Sequence, residues 1–292
     1  MRSLLFVPGD SEKKLAKAPQ AGADVLLLDL EDSVGADRKA EARKITSAFI
    51  GENREQVSAS LYVRVNDFTT GLTDDDLTAI MPARPAGIML PKAIGPKDVM
   101  RLSAKLRVHE AESGIEDGAT RIVALIAETA AGVLAAPAFS EANPRLAGVT
   151  WGAEDLSADI GARTPRGGDG RYTETFRLAR TLTILAAATV QAAAIDTVFV
   201  NFRDMDALKA ECVEAERDGF TAKMAIHPAQ VPIINEVFTP SVESVAHSRA
   251  VVEAFSAAGN PGVIGIDGQM YDRPHLRRAE RILARAQAAG VA

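Results

Sequence analysis

The chain has 292 residues, of which 47% are hydrophobic and 25% are charged, and its formal net charge is −6 at pH 7. This composition excludes a disordered or fibrous chain, and the negative charge argues against a protein that binds nucleic acid through its phosphate backbone. The single cysteine, Cys212, excludes an internal disulfide and a thiolate zinc cage, so we expect a cytoplasmic, reducing location.

Short apolar runs rich in Val, Ile and Leu recur along the chain between longer segments with helical periodicity. Continuously apolar runs are typical of strands buried on both faces of a parallel sheet. They predict strands at Ser3–Val7, Asp24–Leu28, Leu61–Val65, Gly87–Leu90, Ile122–Ile126, Leu146–Thr150, Thr197–Val200 and Met224–Ile226. Eight strand–helix repeats predict an α/β fold, a closed (β/α)₈ TIM barrel. The first run is too short for a signal-peptide core and is predicted as the first strand.

The intervening segments carry helix start and stop signals. Thr73, followed by three aspartates, predicts one helix start, and Pro96 opens a predicted helix over Pro96–Glu112. Gly219 is expected to end a helix over Asp204–Asp218. The apolar stretch Thr181–Ile195 is shorter than the roughly 18 residues of a membrane span, so it predicts a buried helix and no membrane association.

The chain is predicted to divide into a barrel at residues 1–238 and a C-terminal helical extension, or lid, at residues 239–292. The glycine-rich interval Gly161–Arg171 lies inside the barrel pattern and is predicted to be a long loop. The extension is predicted to hold a helix over Pro240–Ala258, the turn-rich segment Gly259–Asp272 and a last helix opened by Pro274. It is too short to fold independently, so it should dock on the barrel or on a neighbouring subunit.

Polar residues follow the predicted strands, and barrel enzymes place their sites at the carboxyl ends of strands. Asp29, Glu31 and Asp32 follow strand two, Arg64 ends strand three, Lys92 follows strand four, Glu128 strand five, Asp155 strand six and His227 strand eight. Carboxylates that converge on one mouth repel one another unless a cation lies among them, and oxygen ligands suit Mg²⁺ or Mn²⁺.

We therefore predict Glu128 and Asp155 as metal ligands, with Asp29, Glu31 and Asp32 orienting the metal-bound waters. The alternative is that Glu128 and Asp155 cap the helices that follow their strands. Because both residues follow adjacent predicted strands, the metal site is the favoured interpretation.

Two further residues have competing interpretations. Arg64 offers a planar fork that could clamp a substrate carboxylate, or it could form an ion pair with the acids after strand two. His227 could act as a base, but a histidine that locks a loop by hydrogen bonds is the commoner case.

Several segments together resemble the HpcH/HpaI aldolase and citrate lyase beta-subunit superfamily, specifically its CitE-like acyl-CoA lyases. The matching segments are Leu5–Gly9, Leu28–Val34, Val63–Asn66, Leu90–Lys92, Glu128–Thr129, Gly152–Leu156, Ala225–Gln230 and Gly268–Pro274. They run from the first strand to the last helix, and Phe-Val-Pro-Gly followed by Asp-Leu-Glu-Asp-Ser-Val is a specific combination.

The resemblance implies a Mg²⁺-dependent barrel that cleaves or forms a carbon–carbon bond next to a coenzyme A (CoA) thioester, in a homotrimer or a dimer of trimers. It implies that Glu128 and Asp155 bind the metal and that Arg64 clamps the carboxylate of a 2-keto acid. Phe6, Pro8, Gly9 and Lys92 would approach the thioester, while Lys13 or Lys14 would meet the phosphates of CoA. Asp272 resembles the lid aspartate, which donates or removes a proton and comes from the adjacent subunit.

Three positions depart from the family pattern: Ala222, Gln269 and Tyr271 stand where relatives usually carry other residues. These changes could alter the acyl pocket, whereas they leave the predicted metal site untouched. The main hypothesis is a lyase acting on malyl-CoA or citramalyl-CoA, with thioesterase or malate-synthase side activity left open. The alternatives are a citrate lyase beta subunit that acts on a carrier protein within a complex, or a non-catalytic barrel that binds a metabolite.

Overall fold

In a computed structural model, which describes residues 1–139 and 143–291, eight parallel strands form a closed barrel in chain order, β1 to β8. The strands are β1 Ser3–Pro8, β2 Val25–Asp29, β3 Ser60–Arg64, β4 Gly87–Leu90, β5 Arg121–Ala127, β6 Leu146–Trp151, β7 Ala193–Asp196 and β8 Ala222–Ala225. The predicted TIM barrel is confirmed.

Helices surround the barrel and continue beyond it. They are α1 Glu12–Lys17, α2 Lys39–Asn53, α3 Thr73–Ile80, α4 Pro96–Glu112, α5 Ala130–Ala135, α6 Ala153–Asp159, α7 Glu174–Val190, α8 Met205–Asp218, α9 Val231–Phe238, α10 Val242–Ala257 and α11 Arg273–Ala288. Short 3₁₀ turns lie at Ala18–Ala21, Ala36–Arg38, Met81–Ala83, Ala136–Ala138 and Pro228–Gln230. Among the described residues, no helix combines the length and the apolarity needed to cross a membrane.

The core has two layers because side chains alternate along each strand. Leu27, Met89, Val123 and Ile195 belong to a cluster that fills the barrel interior, while the opposite faces of the strands pack against the helices. Strand register aligns Pro8 with Asp29, and Asp29 with Arg64. The polar residues that follow the first three strands therefore lie side by side at one end of the barrel.

The prediction was wrong about strand seven and the helix before it. The helix α7 ends at Val190, because Gln191 adopts a left-handed conformation with φ of 55°. The residues after it, 193–196, form β7, and the predicted strand Thr197–Val200 is irregular. The alanine-rich sequence continues the apolar pattern of the helix without a break, and alanine carries no strand signal.

Strand eight begins at Ala222, two residues before the predicted start at Met224, and it includes Lys223. Lys223 is completely buried, and its ammonium lies 2.7 Å from Asp196 and 2.8 Å from Glu211. A buried charge is tolerated when it is paired and hydrogen-bonded. The ion pair between β7 and β8 therefore lets strand eight begin at Ala222.

The C-terminal extension contains a hairpin that the turn-rich prediction missed. Antiparallel strands β9 (Val263–Ile266) and β10 (Gln269–Asp272) flank Asp267 and Gly268, both of which have positive φ. Asp-Gly between apolar residues is a signal for a tight hairpin turn. Helices α10 and α11 pack together in a small cluster of their own, while the predicted division at residue 238 stays a prediction.

Candidate functional site

A cavity of about 820 Å³ opens at the carboxyl ends of the strands. Its lining includes Phe6, Pro8, Asp29, Asp32, Arg64, Glu128 and Asp155. The structure thus brings most of the residues singled out in the sequence to one cavity, as the position of barrel sites predicts.

Arg64 forms the ion pair that the sequence left open as its alternative role. Its Nε and one terminal nitrogen each lie 2.7 Å from an oxygen of Asp29, and the other terminal nitrogen lies 2.9 Å from Glu31 Oε2. The guanidinium also stacks 4.7 Å from the centre of the Phe6 ring. Burial alone would raise the pKa of Asp29, but the hydrogen bonds and charge of Arg64 lower it overall. Arg64 is therefore held in one orientation at the cavity wall.

Lys92 connects two carboxylates from a strained backbone position. It has a positive φ of 50°, which is uncommon for a residue other than glycine. Its backbone N–H donates to Glu128 Oε1, and its ammonium lies 2.6 Å from Glu31 Oε1. Burial raises the pKa of Glu31 to about 7, although Arg64 and Lys92 oppose this shift. Lys92 is not among the residues that line the cavity, and its amide and ammonium each bind one of the acids beside it.

Glu128 follows β5, and Asp155 lies in the first turn of α6, which follows the neighbouring strand β6. Burial raises the pKa of Glu128 to about 8, and the neighbouring charges of Asp155 and Glu31 add to the rise. Burial also raises the pKa of Asp155, with Asp32 adding to it. Among the described residues, no other residue donates a hydrogen bond to the Asp155 carboxylate.

The helix-capping alternative does not hold for Glu128. The hydroxyl of Thr129 accepts a hydrogen bond from the Gly132 N–H, so Thr129 caps α5. Gly152 occupies the N-cap of α6, and Asp155 lies in its first turn. Among the residues that the structure describes, the Lys92 amide is the one donor to the Glu128 carboxylate.

The donor set fits a hard cation that keeps water ligands. Within residues 1–139 and 143–291, no group of three His, Cys, Asp or Glu side chains is arranged to hold a metal. Mg²⁺ typically takes one or two protein carboxylates and completes its shell with water and substrate oxygens. Burial raises the pKa of both carboxylates, and neighbouring negative charges add to the rise, so a bound cation would relieve that repulsion and make the pair suitable ligands.

The end of β1 contributes apolar groups to the cavity, and helix α1 contributes basic ones. Phe6 and Pro8 line the cavity, as do Lys13, Lys14 and Lys17. Lys17 was missed in the sequence, although its spacing from Lys13 and Lys14 on one helix face could have identified it.

Gly9 does not line the cavity. Its N–H donates to the Asp29 carbonyl, and a side-chain carbon here would approach Thr46 Oγ1 to 2.6 Å. Close packing against Thr46 and β2 therefore explains why residue 9 is a glycine.

His227 takes the role of a loop lock. Its Nδ1 accepts a hydrogen bond from the Ala229 N–H, while the Gln230 side chain accepts one from the His227 N–H. His227 also lines the cavity. Thr197 and Met224 line it as well and were not singled out in the sequence, because the predicted bounds of strands seven and eight were shifted.

Asp272 lies outside the cavity of its own chain. It ends β10 and caps α11, with its Oδ1 2.5 Å from His275 Nδ1, and this hydrogen bond lowers the pKa of Asp272. A role for Asp272 at a barrel mouth therefore stays a prediction.

The close approach of Gly152 to Glu128 gives a first test of the site. A side-chain carbon on Gly152 would lie 2.9 Å from Glu128 Cβ and 3.0 Å from its Oε2. We expect Gly152→Ala to displace the carboxylate and weaken Mg²⁺ binding about tenfold, measured by calorimetry. Gly51→Ala is the control, because an added carbon there meets nothing within 4 Å. Equal Mg²⁺ affinity in both variants would show that Glu128 is not a ligand.

The structure defines an α/β-barrel protein with carboxylates and basic side chains around the cavity at its mouth. Residues 2–228 match the model of the HpcH/HpaI aldolase/citrate lyase family. The chain belongs to this family.

The similar proteins and the solved structure described below align with almost the whole chain. The mitochondrial citramalyl-CoA lyase of Rattus norvegicus is 33% identical over 98% of this chain and 86% of the relative. The (3S)-malyl-CoA thioesterase of Cereibacter sphaeroides is 33% identical over 98% of this chain and 95% of the relative. The structure of CitE from Mycobacterium tuberculosis in complex with magnesium, acetoacetate and coenzyme A is 33% identical, with a TM-score of 0.77 and 98% coverage of both chains.

Proposed function

We propose that this protein is a Mg²⁺-dependent carbon–carbon lyase that cleaves or forms a 3-hydroxyacyl-CoA, such as malyl-CoA or citramalyl-CoA. The products of cleavage are an acyl-CoA and a 2-keto acid. The observation that carries the proposal is the Glu128–Asp155 pair at the mouth of a barrel whose wall holds Arg64. Relatives named for citramalyl-CoA and malyl-CoA support the substrate class. Mn²⁺, which accepts the same ligands, is expected to replace Mg²⁺.

The chemistry follows from where the side chains lie. Glu128 and Asp155 would hold the ion, which when bound supplies positive charge that favours loss of the 3-hydroxyl proton. Arg64, kept in place by Asp29, would orient the carboxylate of the 2-keto acid portion. In cleavage the 3-hydroxyl proton would pass to solvent, and the carbon–carbon bond would break to leave the keto acid and a thioester enolate. Asp272 would protonate the enolate carbon, or remove that proton in the condensing direction.

The remaining assignments concern the substrate and the waters. Glu31 and Asp32, beside Arg64, would orient waters on the ion. Phe6 and Pro8 offer an apolar wall for the thioester, with Gly9 holding their loop against β2. The ammonium of Lys92 binds Glu31, so Lys92 would affect thioester binding by holding this acid in place and not by direct contact.

Assembly and location are part of the same proposal. We expect a homotrimer or a dimer of trimers, in which the hairpin bearing Asp272 covers the cavity of a neighbouring subunit. The exposure of Val263 and Met270 on this hairpin supports a partner for it. We expect a cytoplasmic location because the one cysteine, Cys212, is buried and unpaired.

The alternative of a citrate lyase beta subunit is tested with the purified chain. We expect turnover of free 3-hydroxyacyl-CoA thioesters in Mg²⁺ without any added protein. Turnover only when the acyl group is attached to a carrier protein would favour the complex subunit. No turnover of either, with a bound metabolite, would favour the non-catalytic barrel.

The raised pKa of Glu128 predicts how Mg²⁺ stabilises the protein. Because its folded pKa is about 8 and the ordinary value is 4.5, the metal-free protein should lose stability as pH rises between these values. Mg²⁺ must displace the proton, so the increase in Tm on adding Mg²⁺ should be larger at pH 8.5 than at pH 6. Differential scanning fluorimetry with Mg²⁺ or EDTA measures this. Glu128→Gln should reduce the pH dependence, although Glu31, with a pKa of about 7, still titrates in this range, and equal increases at both pH values in the unmodified protein would contradict the assignment.

The role of Asp272 is tested by mixing two inactive variants. Arg64→Ala and Asp272→Asn homo-oligomers should each be inactive, but subunits that are dissociated and reassembled together should regain some turnover. A mixed oligomer can pair an intact Arg64 cavity with an intact Asp272 hairpin from its neighbour. Verified subunit exchange without recovered turnover would exclude action on the neighbouring cavity, and a fully active Asp272→Asn enzyme would remove its catalytic role.

A further inference from the structure

The hairpin of β9 and β10 ends at a pair of side chains of which the chemistry above uses only one. Asp272 ends β10, and His275 lies three residues later in the first turn of α11. Asp272 Oδ1 and His275 Nδ1 are 2.5 Å apart. A carboxylate oxygen and a ring nitrogen this close share a proton in a charge-assisted hydrogen bond. The proposed reaction gives a role to Asp272 and none to His275.

The Nδ1 atom of His275 has a partner in either protonation state of its ring. When the imidazole is charged, Nδ1 donates to the Asp272 carboxylate. When the imidazole is neutral with its proton on Nε2, Nδ1 accepts from the Asp272 backbone N–H, whose nitrogen lies 3.2 Å away. The ring is therefore held beside the carboxylate both before and after it loses a proton, as a group that passes protons requires.

The surroundings of His275 leave its proton exchange to Asp272 and to water. The ring of Tyr271 meets the imidazole edge-on, with 5.3 Å between centroids, and His247 of α10 lies on Tyr271 at 5.9 Å. Arg278, one turn later on α11, is exposed. The His275 side chain is 43% exposed, so water reaches the ring directly.

Cleavage requires Asp272 to deliver a proton that its carboxyl does not hold at neutral pH. The hydrogen bond from His275 lowers the pKa of Asp272, so the carboxyl is ionised. An ionised carboxylate can remove a proton in the condensing direction, but it has none to give to the enolate carbon. The carboxylate must therefore receive a proton from another group, and His275 is in contact with it.

We propose that His275 supplies this proton, acting through Asp272 as a positioning residue that does not touch the substrate. In cleavage, the His275 Nδ1–H bond breaks as an Asp272 Oδ1–H bond forms, and the proton then passes from Oδ1 to the enolate carbon. The neutral imidazole regains a proton from water. In condensation the steps run in reverse, so the proton removed from the acyl carbon leaves through His275. This inference rests on the proposed function, which gives Asp272 its role at the enolate carbon.

The test is the pH dependence of kcat in both directions, measured in saturating Mg²⁺ between pH 6 and pH 9. Cleavage needs the charged imidazole and condensation the neutral one, so as pH rises the unmodified protein should cleave more slowly and condense faster. His275→Asn keeps a hydrogen-bond donor beside Asp272 but has no proton that titrates. It should lower kcat at least about tenfold at the favourable pH of each direction, leave KM nearly unchanged and lose the opposite pH dependence.

The matched control is His247→Asn, which makes the same change in the histidine that lies on the other ring neighbour, Tyr271. It should keep the kcat and both pH profiles of the unmodified protein. Glu31, whose pKa is about 7, is present in all three proteins, so its titration cancels when the profiles are compared. Circular dichroism checks that both variants are folded.

Two results would overturn this proton relay. One is a normal kcat in His275→Asn, and the other is a kcat lowered equally at every pH, which a purely structural role predicts. If the unmodified protein cleaves CoA thioesters and Asp272→Asn is inactive while either result is found, the relay alone fails. If the unmodified protein cleaves no CoA thioester, or Asp272→Asn is fully active, the proposed function or its use of Asp272 fails, and the relay fails with it.

Discussion

Glu128→Gln and Asp155→Asn should each reduce Mg²⁺-dependent turnover at least about hundredfold while the fold is kept. Groups that only support metal ligands are worth about ten- to hundredfold, and a ligand itself should be worth more. Replacing either acid with its amide removes the negative charge but preserves the shape of the side chain. Burial raises the pKa of both acids because it penalises their charged forms, and a neutral amide avoids that penalty, so the metal-free variants should be at least as stable as the original protein.

Calorimetric Mg²⁺ titration and circular dichroism together check this expectation. Glu154→Gln is the matched control, because Glu154 also lines the cavity and precedes Asp155 but is not assigned as a ligand. It should keep its Mg²⁺ affinity within about twofold, as expected for an exposed charge away from the ion. Normal turnover of either ligand variant in saturating Mg²⁺ would mean that the acid concerned does not bind the metal.

Arg64→Lys should lower kcat/KM for cleavage on the order of hundredfold, although the positive charge is kept. The guanidinium contacts Asp29 through two nitrogens and Glu31 through the third, which a lysine ammonium cannot reproduce. A misplacement of about 1 Å in a group that orients substrate can cost this much. The condensing direction, with pyruvate or glyoxylate as the keto acid, should show the same loss.

The matched control is Arg43→Lys, which makes the same change in an arginine that pairs with buried Asp76 and does not line the cavity. Each variant disrupts an ion pair between an arginine and a buried carboxylate, so both should lose some thermal stability. Only Arg64→Lys should lose turnover at a temperature where both are folded. Near-normal kcat/KM in Arg64→Lys would show that Arg64 forms a structural ion pair but does not orient the substrate.

The barrel could be predicted because six of its strands are apolar runs between clear helices. The helix Pro96–Glu112 has the bounds that its opening proline indicated. Strand seven was misplaced because its alanines continue the pattern of the helix before it, and strand eight includes Lys223, whose charge is paired with Asp196 inside the protein. The sequence shows both charged residues but not the distance between them. That this pair is buried can therefore be recognised only once the structure shows that β7 and β8 are neighbours.

The position of the site could be predicted, but its internal contacts could not. Acids at strand ends indicated the cavity, whereas the choice between a clamp and an ion pair for Arg64 depended on side-chain geometry. The left-handed turn at Lys92, which directs its amide to Glu128, has no sequence signal because glycine or asparagine is the usual residue there.

The measurement that tests the central claim most directly is mass spectrometry of citramalyl-CoA and malyl-CoA after incubation with the purified protein, in Mg²⁺ or in EDTA. The account predicts that at least one thioester yields acetyl-CoA together with pyruvate or glyoxylate in Mg²⁺, and that EDTA or the Glu128→Gln variant prevents this. Cleavage that continues undiminished in EDTA, or thioesters that all remain intact in Mg²⁺, would contradict it.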